Sequence, residues 1–206
     1  MIANHIHDAL AQVKLLQEFI LEKNLFKGYS GKARLLAGST TLIGALILNS
    51  PRVPSEPWVH LAGWGIVLAI SVIANYAALV YWFLFDERAR RNPVMLKPAL
   101  DALPALGVGA VLSLALILHG EFSLLFGVWM SCYGLAQVAY RNSLPKGIYG
   151  IGVFYLVCGV ACLLSPCLSF TNPLPMGLVF FGGEMAGGWV LIQDHRKTIG
   201  KEEESE

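Results

Sequence analysis

WVHLAGWGIVLAISVIANYAALVYWFLFDERARR, residues 58–91, reads as a membrane-spanning helix closed by a run of charge. From Trp58 to Phe85 it holds no Lys, Arg, Asp or Glu, and a helix needs roughly 20 apolar residues to cross the hydrocarbon of a bilayer. The run ends at Asp86-Glu87-Arg88-Ala89-Arg90-Arg91, a stretch of charge that cannot remain in lipid. Trp58 and Trp82, near its two ends, fit interfacial anchors, whereas Trp64, Trp129 and Trp189 fit an interface or the inside of a bundle equally well.

Five further apolar runs flank this one. The first extends from about Arg34 to Leu48, after Lys32 and before Asn49-Ser50-Pro51, and is short for a span. The third starts near Ala99 and ends at His119-Gly120, and the fourth covers Phe122 to Tyr140. The fifth runs from Ile148 to Leu164 and stops at Ser165-Pro166. The sixth covers Leu174 to Ile192, before Asp194-His195-Arg196-Lys197. Every boundary carries a turn former, a charge or both. Composition agrees: 55% of the 206 residues are apolar and 14% are charged, against about 25% charged in soluble domains.

Cations set the orientation. From the N-terminus onward the gaps hold five, one, four, none, two, none and three Lys and Arg residues, the single cation in the minority set being Arg52. Positively charged gaps stay on the cytoplasmic side, so both termini are expected there. The compact cationic gaps suit a bacterial inner membrane. The expected fold is all-α: six transmembrane helices as three hairpins over residues 32–193, an amphipathic cytoplasmic helix and hinge over 1–31, and a polar tail over 194–206. Phe126-Gly127-Val128 and Met176-Gly177-Leu178 align at an offset of fifty, as do Ala136 and Ala186, a pattern that suggests repeated hairpins.

Ahead of the spans, Ile2, Ile6, Ala9, Val13, Leu16 and Ile20 form one stripe of a helix. Residues 2–21 therefore fit a helix on the membrane surface, a short coiled coil, or a helix folded on its own bundle. The segment lacks the apolar core and cleavage site of a signal peptide. His7-Asp8-Ala9-Leu10-Ala11-Gln12 resembles the phospho-acceptor motif of one class of sensor histidine kinases, over six residues only. A kinase also needs a nucleotide-binding domain, and no polar stretch here is long enough to hold one.

Glu184 is the exception among the acidic residues, because it falls near the middle of the sixth span in Gly182-Gly183-Glu184-Met185-Ala186-Gly187-Gly188. An ionised carboxylate there costs about 2.5–3.5 kcal/mol on insertion scales. The expectation is a neutral Glu184 hydrogen-bonded to a neighbouring helix, or else a proton or cation site. Asn75 and Gln137 are candidate partners, with Tyr76, Tyr133 and Tyr155 as hydrogen-bonding neighbours. Gly183 and Gly187, one turn apart, are expected to admit another helix backbone. Cys158 and Cys162 share a helix face but lack redox spacing, and His60 and His119 lie near one interface without the paired ligand spacing of a metal site.

These residues point to a structural or interaction subunit of the membrane, whose partners are the lipid bilayer and, through residues 2–21, a protein or a second copy of the chain. The alternative is a proton-coupled or cation transporter built on Glu184. No cofactor, metal or nucleic acid is expected, and no catalytic constellation is present in the sequence.

Overall fold

A computed structural model describes residues 13, 30–85, 97–139, 141, 143–165 and 169–203. Its regular elements are helices: α1 (Gly31–Leu48), α2 (Pro57–Phe85), α3 (Lys97–Leu118), a 3₁₀ turn (Phe122–Leu124), α4 (Leu125–Ala139), α5 (Lys146–Leu164) and α6 (Leu174–Glu203). Six spans are long and apolar enough to cross a membrane, and the chain is a multi-pass membrane protein. Apart from Val13, the amphipathic stripe of residues 2–21 lies outside the described residues, as do the kinase-like motif at His7, the charge run Asp86–Arg91, Cys167 and the last three positions.

Local chemistry accounts for the helix ends. Ser30 caps α1 in extended conformation, its hydroxyl accepting from the Ala33 amide at 3.3 Å. The cap starts α1 three residues ahead of the Arg34 boundary read from hydropathy, so Lys32 and Arg34 are helical. Gly120, with φ +76°, makes the tight turn from α3 into the 3₁₀ segment, a conformation that suits a residue without Cβ. At the other end of the chain, α6 continues past Ile192 to Glu203, because Asp194-His195-Arg196-Lys197 contains no helix breaker. The start of the expected polar tail is therefore helical. Within the spans, Ser39, Thr40 and Thr41 donate to the carbonyls of Leu35, Leu36 and Ala37, satisfying hydroxyls that lipid cannot.

α1 packs on α2, α3 on α4 and α5 on α6, and further seams join these pairs to one another. α1 packs against α2 and α6, α6 against α5, α5 against α4, and α4 against α3, giving the lateral order α2-α1-α6-α5-α4-α3. The largest seams are α4 on α5 and α1 on α6. Both are built on glycine. A Cβ on Gly134 would stand 2.8 Å from the Gly152 carbonyl oxygen, and one on Gly31 would stand 2.6 Å from that of Gly188. Lipid gives apolar side chains no incentive to leave it, so such backbone proximity, with its van der Waals contact, carries much of the association. Gly134→Val should therefore wedge α4 from α5 and cost about 1–3 kcal/mol in a denaturant titration of the purified protein. Wild-type stability in that variant would mean the seam yields freely.

At the end of the bundle remote from Ser30, apolar rings fill the core. Trp64 meets Phe126 edge-on with centroids 5.7 Å apart, and Phe126 meets Phe170 at 4.9 Å. The tryptophans thus divide: Trp64 is buried, whereas Trp58 and Trp189 are exposed on the outside of the helices.

Candidate functional site

The buried stripe of α1 comprises Ala33, Arg34, Ala37, Gly38, Thr41, Ala45 and Leu48. These positions recur at the helical period, so Arg34 faces the same way as a row of small residues that lets α6 come close. Arg34 is 4% exposed and Glu184 is 3% exposed. Their side chains form a bidentate pair: Arg34 Nη2 donates to Glu184 Oε1 at 2.8 Å, and Nε donates to Oε2 at 2.9 Å.

Two tyrosines complete the carboxylate shell. Tyr133 Oη on α4 donates to Glu184 Oε1 at 2.9 Å, and Tyr155 Oη on α5 donates to the same oxygen at 3.1 Å. The rings meet edge-on with centroids 5.0 Å apart. Both carboxylate oxygens thus accept from donors, the geometry of an anion rather than of an acid that must place its own proton. Glu184 thus has the hydrogen bonds to neighbouring helices expected from the sequence, and Arg34 adds a counter-charge because it enters the bundle instead of staying at its flank.

Gln137 and Glu184 come together through this arginine. Gln137, fully buried, accepts from Arg34 Nη2 with its Oε1 at 3.3 Å. Its Nε2 is buried without a hydrogen-bond partner among the described residues. Asn75 is placed differently: its amide donates to the Ser71 carbonyl of its own helix at 2.9 Å. It nevertheless lines the same cavity as Arg34 and Glu184.

The glycines act on side chains here. A Cβ on Gly187 would lie 2.6 Å from Arg34 Cζ, one on Gly38 would lie 2.9 Å from Glu184 Cβ, and one on Gly183 would strike the Tyr155 ring. Gly183 and Gly187 therefore admit a phenol and a guanidinium rather than the helix backbone expected from their spacing. The backbone approach falls one residue further on, between Gly188 and Gly31.

Beside the charge pair lies a cavity of about 550 Å³. α2 supplies one long wall, from Leu61 to Leu79, and α3 the facing one, from Ala102 to Ser113. α1, α4 and α6 close the back with Arg34, Thr41, Tyr133, Phe180 and Glu184. The lining is mostly apolar. α2 and α3 are the two ends of the lateral helix order and form no packed seam with each other, which leaves this space. On the α3–α4 side, Trp129 Nε1 donates to Ser113 Oγ at 2.8 Å and Ser113 Oγ donates to the Gly109 carbonyl at 2.6 Å, so that wall is fixed by hydrogen bonds.

Compared with protein-family models, curated proteins and solved structures, the chain matches none.

Proposed function

We propose that this membrane protein binds a small molecule within the bilayer, in the cavity between α2 and α3, with the Arg34–Glu184 cluster as its fixed polar wall. The observation that carries the reading is the cavity itself. Its volume of about 550 Å³ falls inside the range of roughly 300–1,000 Å³ typical of ligand sites, and an apolar lining with a few convergent polar groups is their usual character. Such a protein would act as a receptor, carrier or transporter, not through bond-making chemistry.

The cation bias supports both termini on the cytoplasmic side of a bacterial inner membrane and three like-oriented hairpins. In that orientation the charge pair lies toward the cytoplasmic half of the bundle, since Gly188, four residues or about 6 Å along α6 from Glu184, abuts the first residue of α1. Proton or cation passage through Glu184 would require the carboxylate to leave Arg34, because both its oxygens are engaged.

Gly65 offers the test. It lines the cavity, and a Cβ built on it meets nothing within 4 Å. Gly65→Leu adds its first side-chain atom in open space and its branch along the cavity wall, and the stronger helix propensity contributes about 0.5–1 kcal/mol. Native mass spectrometry of the protein extracted from membranes should show a bound small molecule on the wild type that Gly65→Leu lacks, with thermal stability retained or raised. Identical adducts on both proteins would sink the reading.

A second reading, an interaction subunit, rests on the apolar stripe of residues 2–21. It expects deletion of residues 1–27 to abolish co-purification of a partner while α1–α6 stay folded. Retention of the same partner would count against it.

A further inference from the structure

We infer that the occupant of this cavity is an uncharged amphiphile drawn from the bilayer, a lipid whose head carries hydroxyl or carbonyl oxygens, entering sideways between α2 and α3. The inference rests on the binding reading above and names its ligand class and its route.

The route follows from the rim. Leu68, Val72 and Tyr76 on α2, and Leu106 and Ala110 on α3, line the cavity and are exposed side chains, so the cavity is bounded here by open apolar surface and not by a packed wall. In a membrane-spanning protein, apolar surface at this depth meets hydrocarbon. A hydrophobic guest therefore passes from bilayer to cavity without crossing water.

The head group follows from charge. Arg34 and Glu184 neutralise each other, and both carboxylate oxygens are engaged by Arg34, one of them also by Tyr133 and Tyr155. A charged head would lose its hydration beside a pair that has no net charge to offer in return, which is unfavourable in an apolar site. An uncharged head loses far less. One lining residue is also short of a partner: Ser71 Oγ is buried without a hydrogen-bond partner among the described residues, and a change of its χ1 rotamer would turn it toward the cavity. Ser71 lies one helical turn from Asn75 on the cavity side of α2, so a hydroxyl or carbonyl oxygen seated at this level would complete it. The chain of the guest would then lie along the apolar wall past Leu68 and Gly65.

The full-length protein in nanodiscs is labelled with three photoactivatable diazirine amphiphiles of equal chain length: a monoacylglycerol, a fatty acid and an alkylammonium. Labelled peptides are located by mass spectrometry. The monoacylglycerol should label Leu61–Leu79 and Ala102–Ser113 saturably and be displaced by its unlabelled form. Gly65→Leu should remove the saturable component, and Ser71→Ala should raise the half-saturating concentration about fivefold, the loss of one hydrogen bond. Ala110→Leu, on the facing wall, serves as a second filled-cavity variant should Gly65→Leu fail to fold. Saturable labelling by the fatty acid or alkylammonium at lower concentration than the monoacylglycerol, abolished by the same filled-cavity variants, would overturn the uncharged class and leave intramembrane binding standing. Labelling by all three that neither saturates nor responds to either filled-cavity variant would overturn both.

Discussion

Glu184→Gln should lower the stability of the bundle by about 3–5 kcal/mol, the cost of breaking a buried ion pair by removing one partner. The amide nearly matches the carboxylate in size, so packing is kept and charge alone is lost. What remains is Arg34, 4% exposed, a guanidinium that does not deprotonate in proteins, facing Gln137 and an amide that offers a single acceptor oxygen. Arg34→Met should cost less. It leaves Glu184 with the Tyr133 and Tyr155 hydroxyls as donors, so part of the carboxylate's hydrogen bonding survives. The double variant Arg34→Met, Glu184→Met should recover most of the loss, because the desolvation of both charges disappears with them. Denaturant titration of the four proteins in one mixed-micelle system measures the series. Equal stability of Glu184→Gln and the wild type would mean that the pair does not hold α1 to α6.

That series also shows what hydropathy reveals and what it hides. The six spans are legible because the bilayer imposes length and composition on each of them, and their ends are marked by charges, Pro or Gly. A carboxylate among four glycines in such a run is equally conspicuous as polarity that lipid will not solvate. Its partner is not, since an arginine in the first turn of a span looks like the cytoplasmic cations beside it. One signal does point to Arg34: counted from Arg34 to Leu48, the first span reaches only about 22 Å at 1.5 Å per residue, against roughly 30 Å of hydrocarbon. The shortfall means that the membrane must take in residues ahead of the apolar run, and α1 does start at Gly31. The cavity had no comparable signal. It exists because α2 and α3 are the ends of the order α2-α1-α6-α5-α4-α3, and that order is set by which glycines face which backbone across a seam. Spacing along one chain cannot say that Gly134 meets Gly152 or that Gly31 meets Gly188.

Gly187→Ala should be nearly as damaging as the loss of a charge, although it adds one methyl group to a helix and improves its propensity. The new Cβ would stand 2.6 Å from Arg34 Cζ and 2.8 Å from Nε, distances at which one of the two must move. The guanidinium has little freedom, because its Nε and Nη2 are engaged by the two oxygens of Glu184 and shifting it gives up bidentate geometry inside a dry bundle. The expected loss approaches the 3–5 kcal/mol of a broken buried pair, whereas an exposed helical Gly→Ala would gain about 0.5–1 kcal/mol. A double-mutant cycle with Arg34→Ala identifies the cause. If the glycine exists to admit the guanidinium, Gly187→Ala becomes close to neutral once Arg34 is gone, and the coupling energy reaches several kcal/mol. If the glycine instead serves the approach of the α1 and α6 backbones, the costs add and the coupling is near zero. The neighbouring Gly188→Ala supplies the contrast, since its Cβ would meet the Gly31 carbonyl oxygen at 2.8 Å. Its penalty should persist without Arg34, because the atom it strikes belongs to a helix backbone that cannot turn aside.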